Sequence, residues 1–327
     1  MVSRKASKRQ TKSITKAEPK HPWAVFDVLI TIFAVSLVAI IYLFYDGTKA
    51  PDIAAEPEIE QIEPSTEIIE PEELIPVIDF QPTIDQWAKN QKGNKSVIIY
   101  DLKLDQIVGE YNPNEDYSTA SLYKLFVVYE GYRRLESGEW QNTKLGRTGK
   151  TVLECLDLAI RESHSTCAET LWEMIGHDTL DDIIESELDI TDSDISKLRS
   201  NPKDIAKIIH IFYHHPHLTN ETFVAQIKDS MLNQPITTDN WRQGLPSGFS
   251  KNVDVYDKVG WEYNPDKKYW NIYHDAAIID FKNYDRQYIV VVMTNFINYR
   301  EIRKLGSEIE KTFTAAMADQ QAEASNQ

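Results

Sequence analysis

The chain has 327 residues, 42% of them hydrophobic, and a formal net charge of −16. That length is ample for one buried core, and the acidity argues against a nucleic-acid partner, which needs a basic face. The charge is uneven: residues 1–20 hold seven Lys/Arg against one acidic residue, whereas residues 46–85 hold twelve Asp/Glu against one lysine.

Between these blocks, Val28 to Tyr45 is an eighteen-residue run without a charge, flanked by Trp23 and ending in the Tyr42/Tyr45 pair. Such a run is long enough to cross a bilayer as a helix. Arg4, Lys5, Lys8, Arg9, Lys12, Lys16 and Lys20 predict that the basic end stays cytoplasmic and that everything after Asp46 faces outward. A cleaved signal peptide is the rival, but the apolar run is long and no clear small-x-small site follows it, so an uncleaved anchor is expected.

Beyond it, Pro51, Pro57, Pro64, Pro71, Pro76 and Pro82 recur among glutamates and isolated isoleucines. Such a segment cannot bury enough surface to order itself, and its charges keep it extended. It reads as a spacer, with an acidic recruitment tail as the alternative. The expected organisation is a basic tail over 1–27, an anchor over 28–45, a linker over 46–82, one folded domain over 83–317 and a disordered tail over 318–327.

From Thr83 the pattern becomes globular. Ile84 to Gln91 predicts a short helix, and Ser96–Tyr100 with Gln106–Tyr111 predicts two strands joined by a tight polar turn. Ser121 to Glu136 carries apolar residues at 122, 125, 126, 128, 129, 132 and 135, the spacing of a largely buried helix, stopped by Ser137-Gly138. Helical patterns follow over 151–175 and 202–213. Residues 253–258, 269–279 and 288–293 read as strands, and a helix over 300–317 closes the domain. Strands at both ends with helices between predict one α/β domain whose sheet the C-terminal part completes.

Three short motifs stand out in this frame. Ser121-Leu-Tyr-Lys124 opens the buried helix, Ser163-His-Ser165 lies between helical stretches, and Lys258-Val-Gly260 starts a strand pair. A serine hydroxyl needs a base to act as a nucleophile, and a lysine three residues on lies one helical turn away. Each motif alone is weak, since Ser13/Lys16, Ser200/Lys203, Lys144/Gly146 and Lys304/Gly306 repeat the spacings. Their order and setting distinguish the chosen three.

Over residues 83–317 the chain resembles the class A β-lactamases and related penicillin-recognising serine hydrolases. The segments 119–125, 159–171 and 256–261 look like the SxxK, SDN and KTG regions of that family, and 231–234 and 242–246 resemble segments that precede KTG. The resemblance implies a three-layer α/β domain, with an antiparallel sheet of about five strands and flanking helices, plus a mostly helical lobe. It implies Ser121 as nucleophile, Lys124 as its base, and Ser163 as proton relay to the leaving nitrogen. Lys258 would tune that transfer, and burial together with the nearby positive charge of Lys258 would lower the Lys124 pKa. Backbone N–H groups of Ser121 and Trp261 would form the oxyanion hole, while Ser165, Val259 and Gly260 would contact substrate. A β-lactam or a peptidoglycan peptide would be the substrate and no cofactor would be needed.

The departures are specific. Ser165 and His164 replace the asparagine and aspartate of SDN, Val259 replaces the threonine of KTG, and the 176–202 stretch is short, with no glutamate-bearing loop. Glu185 and Glu187 sit in an apparent helix and are not assigned to that role. Three classes therefore stay open: a membrane-anchored serine acyl-hydrolase on the bacterial envelope, a wall- or partner-binding domain without turnover, and an esterase or amidase on another envelope substrate.

Cys155 and Cys167 are the only cysteines. Outside the cytoplasm a disulfide between them would persist, with two buried thiols as the alternative. They form no recognised metal-ligand spacing with His164 and His177, so no metal is expected. Trp261, Tyr263, Tyr269, Trp270 and Tyr273 crowd a predicted hairpin turning at 264–268, where cross-strand packing is favoured over glycan stacking. His274 and Asp275 should point to opposite faces of a strand and are read as structural.

Overall fold

The computed structural model describes residues 75–234, 243–264 and 269–325. The expected anchor over 28–45, most of the linker and the tip of the predicted hairpin lie outside them. Among the described residues no helix is long and apolar enough to cross a membrane.

Five antiparallel strands form one sheet: β1 (Asn94–Asp101), β2 (Gln106–Tyr111), β7 (Arg286–Asn295), β6 (Tyr269–Phe281) and β5 (Asp254–Asn264), in the spatial order β2-β1-β7-β6-β5. The near-continuous apolar runs of β1 and β7 follow from their central place, buried on both faces. On one face the sheet packs against α1 (Gln81–Lys89) and α8 (Tyr299–Ser325), which bury Ile84, Trp87, Ile302, Leu305, Ile309 and Phe313. The other face meets the helical lobe through Ile98, Ala276, Ile278, Ile289, Val291 and Met293.

Packing begins ahead of Thr83, where the sequence placed the domain start. Ile78 and Phe80 are buried, Phe80 N–H donates to the Val108 carbonyl at 3.0 Å, and Arg286 donates to the Pro76 carbonyl at 3.0 Å. Arg286 also pairs with the buried Asp101, fixing the end of β7 against β1. At the other end α8 runs through Ser325, so the expected disordered tail is helical over 318–325. Its alanines, glutamines and glutamate are good helix formers, and charge content alone is a poor guide there.

The lobe consists of α2 (Tyr123–Glu136), α3 (Val152–Arg161), α4 (Ser165–Ile175), α5 (His177–Ser186), α6 (Pro202–His214) and α7 (Glu221–Leu232), the last not read from the sequence. Capping explains several starts. Thr151 and Glu154 form a reciprocal capping box on α3, and Asn201 accepts the Asp204 N–H ahead of α6, where Pro202 occupies the first turn. A two-strand ribbon of β3 (Tyr117–Ser118) and β4 (Arg199–Ser200) was also not read from the sequence, because strands this short carry no periodicity.

Candidate active site

Ser121 sits in a 3-10 turn, Ala120–Leu122, that leads directly into α2. Ala120 just before it has φ 45°, a left-handed conformation costly for alanine and of a kind that clusters at functional sites. Lys124 lies in the first turn of α2 and is 1% exposed. Its amine donates to the Ser163 carbonyl at 2.5 Å, to Ser163 Oγ at 3.1 Å and to Ser165 Oγ at 3.4 Å. An ammonium has three N–H donors, so these acceptors saturate it.

Ser163 occupies the loop between α3 and α4 with φ 53°. That strained turn presents both its carbonyl and its hydroxyl to Lys124. From the sheet side, the fully buried Lys258 on β5 donates to Ser163 Oγ at 3.1 Å and to the Val259 carbonyl at 2.7 Å. With its two lone pairs facing two lysine amines, the Ser163 hydroxyl keeps its proton free to be given elsewhere. Gly260 completes the junction: a Cβ there would meet the Thr119 carbonyl oxygen at 3.0 Å and Leu122 Cγ at 3.1 Å, so a larger residue would have to push β5 or the serine turn aside by a few tenths of an ångström.

Burial holds the Lys124 amine at about 8, and the nearby Glu169 carboxylate works in the opposite direction. Lys258 is pushed well below the usual lysine range, first by burial and then by the Lys124 charge, against the opposing pull of Asp257 and Asp275. The sequence expected burial and the Lys258 charge together to lower Lys124, and burial is the leading cause.

The structure therefore brings Lys124, Ser163, Ser165 and Lys258 together as the motifs anticipated. Two expectations fail. Among the described residues Lys124 donates to Ser163 and Ser165 and makes no hydrogen bond to Ser121. Val259, expected at the substrate, is 1% exposed and belongs to the core between the sheet and α1/α8. Successive strand residues point to opposite faces, so a Lys258 directed at Ser163 sends Val259 away.

The same alternation explains the neighbours. Trp261 and Tyr273 are register partners on the helix-covered face, as cross-strand packing requires. His274 faces the site side, where its Nε2 donates to the Ser118 carbonyl at 2.8 Å and its Nδ1 accepts the Thr294 N–H at 3.0 Å. Asp275 faces the other way and accepts the Leu245 N–H at 2.7 Å. His164 keeps a capping role on α4, its Nδ1 accepting the Cys167 N–H at 3.1 Å. Cys155 and Cys167 are disulfide-bonded, with Cα atoms 4.9 Å apart, clamping α3 to α4 on either side of the Ser163 loop.

Glu185 lies in α5, and Glu187, at that helix's C-cap, is paired with Arg133 at 2.5 Å. In the short stretch before β4, Asp189 is paired with Lys207 at 2.6 Å and Asp194 with Lys197 at 2.5 Å. Glu169 and Glu262 were not singled out from the sequence. The signal was available for Glu262, since even-numbered residues of β5 share the Lys258 face.

A family model described as the beta-lactamase enzyme family matches residues 79–313. Among solved structures, the fold is similar to a class A β-lactamase from Bacteroides cellulosilyticus (16% identity, TM-score 0.60, covering 72% of this chain and 99% of that one). It is also similar to a β-lactamase from Xanthomonas campestris (14%, TM-score 0.62, 72% and 100%). PBP-A is a third similar structure (15%, TM-score 0.59, 74% and 99%). No curated protein sequence matches the chain.

Proposed function

Because this chain belongs to the beta-lactamase enzyme family, we propose that it is a serine acyl-transferring hydrolase acting on β-lactams or on cell-wall peptides of the D-Ala-D-Ala type. The observation that carries this reading is the Ser163 hydroxyl held between two buried lysine amines, Lys124 and Lys258, with Ser121 in the turn that leads into α2, three residues before Lys124.

In the forward step the neutral Lys124 amine takes the Ser121 hydroxyl proton as Ser121 Oγ bonds to the carbonyl carbon. Backbone N–H groups of Ser121 and Trp261 hold the developing oxyanion. The carbon–nitrogen bond then breaks, and Ser163 gives its proton to the leaving nitrogen while recovering one through Lys124 or Lys258. Ser165 and Gly260 border the bound substrate. Hydrolysis of the ester needs a base for water, and the short segment before β4 lacks a glutamate-bearing loop; in it Glu187 is paired with Arg133, Asp189 with Lys207 and Asp194 with Lys197. The acyl-enzyme therefore forms faster than it is released.

Its place is the outer side of a bacterial membrane, reached by the anchor at 28–45 and the acidic linker, a reading that the charge asymmetry of the N-terminal segments supports. One observation favours the alternative of a wall- or partner-binding domain: Lys124 donates to Ser163 and Ser165 rather than to Ser121. A fluorescent penicillin separates the two. Covalent labelling that is lost in Ser121→Ala supports the acyl-enzyme, and persistence of the adduct over many minutes supports slow release. Absence of labelling leaves the binding domain, or an esterase or amidase on another envelope substrate.

A further inference from the structure

A cavity of about 330 Å³ lies between the sheet and helices α6 and α7. That volume suits a small organic ligand. Tyr256 of β5 and its register partner Ile278 of β6 form part of the floor, and Asp280 with its partner Gln287 of β7 continues it two residues on. Tyr213 and His214, in the last turn of α6, and Lys228 of α7 line the helical wall. Among the described residues none of these hydrogen-bonds to Ser121, Lys124, Ser163 or Lys258, so the cavity is separate from the serine–lysine cluster.

The charges of this cavity are not matched within the protein. Three carboxylates gather at this end of the sheet: Asp280, Asp254 opposite it in the β5–β6 register, and Asp285 in the turn before β7. Two lysines serve the others, Lys282 holding Asp254 at 2.7 Å and Lys103 holding Asp285 at 2.7 Å. Asp280 has no cation at ion-pair distance among the described residues. Its carboxylate accepts one side-chain hydrogen bond, from Gln287 Nε2 at 3.3 Å, and Gln287 Oε1 in turn accepts the Tyr213 hydroxyl at 2.9 Å. Burial pushes the Asp280 carboxyl above its ordinary value; the Asp254 and Asp285 charges push the same way, while the Gln287 hydrogen bond and the Lys282 charge oppose. On the wall, Lys228 pairs with no carboxylate among the described residues, and its amine stands 5.7 Å from the centroid of the Tyr213 ring.

A half-buried carboxylate without a cation carries a desolvation cost that a bound positive group offsets. The unpaired Lys228 amine in the same cavity attracts a negative group, and Tyr256 with Ile278 offers apolar surface to the body of a ligand. We propose that this cavity binds a small zwitterion, a free amino acid or dipeptide, whose ammonium meets Asp280 and whose carboxylate meets Lys228. A dianion would be repelled by Asp280 and a dication by Lys228, so a ligand carrying both signs is the complementary one. The site stands apart from the acyl-enzyme reading, and neither depends on the other.

The test is equilibrium dialysis of radiolabelled L-alanyl-L-alanine against the full chain in a nonionic detergent. Two competitors are compared with the unlabelled dipeptide: N-acetyl-L-alanyl-L-alanine, which lacks the ammonium, and L-alanyl-L-alanine amide, which lacks the carboxylate. Each should compete at least about tenfold more weakly, the worth of one charge-assisted hydrogen bond. Asp280→Asn should erase the preference over the N-acetyl compound and keep the one over the amide, and Lys228→Met should do the opposite. These preferences are ratios within one sample, so they do not depend on the folded fraction. No saturable binding of the dipeptide overturns the inference, as do equal competition by all three compounds and preferences that survive both variants. A preference over one competitor alone shows a simple cation or anion site and overturns it too. Penicillin labelling of Ser121 reads the other site and is untouched by any of these outcomes.

Discussion

Lys258 Nζ donates to Ser163 Oγ at 3.1 Å across 95 residues of sequence, joining the edge of the sheet to the loop between two helices of the lobe. Lys124 reaches the same oxygen from the other side, so the hydroxyl is fixed from both the sheet and the lobe.

Removing that hydroxyl should therefore disable the relay while sparing the fold. Ser163→Ala is expected to lower the acylation rate by about 10²- to 10⁴-fold, the usual worth of positioned proton transfer. Ser163→Gly should lose as much rate but gain thermal stability over Ser163→Ala, because the backbone there has φ 53°. Stopped-flow acylation and melting temperatures read the two effects separately.

The pH dependence should report Lys124. Its amine must be neutral to accept the Ser121 proton, and burial holds it at about 8. The acylation rate should rise with pH through that value. Glu169 pulls the other way, favouring the charged form, so Glu169→Gln should move the rising limb to lower pH by a fraction of a unit. A profile unmoved by that substitution would remove Glu169 from the site's electrostatics.

The Cys155–Cys167 bond should contribute mainly to the domain's stability. In the chain-entropy treatment, a bridge closing a separation of 12 residues stabilises by about 3 kcal/mol. The Cys155→Ser/Cys167→Ser double variant should lose about that amount in urea unfolding. Because the bridge flanks the Ser163 loop, acylation should also slow under conditions where the variant is fully folded.

His274 should give the domain an acid-sensitive component. Burial lowers it to about 4, while an unfolded chain titrates near the ordinary value of 6.5. Between these values the unfolded state binds the extra proton, so stability is complete above about pH 6.5 and falls as pH drops toward 4. The loss from this group alone is up to about 3 kcal/mol. The pH slope of the urea midpoint over that window should be shallower in His274→Asn than in the parent chain.

Much of this was legible in the sequence because it is local. The heptad-like apolar spacing over 122–135 placed Lys124 one turn after Ser121, and α2 follows it closely. The alternation rule separated His274 from Asp275 before any coordinates, and the sheet bears it out. The same rule, carried one residue past Lys258, would have sent Val259 into the core. A motif aligned by resemblance alone put Val259 at the substrate.

The sequence by itself determined which residue types were available for acyl chemistry, their order, and the helix and strands that carry them, since these follow from side-chain periods of 3.6 and 2. Only the tertiary structure decided that Lys124 and Lys258 converge on one hydroxyl and that the Lys124 amine is buried deeply enough to be held at about 8. Convergence and desolvation depend on elements nearly a hundred residues apart being packed together. Periodicity within any one segment carries no record of that.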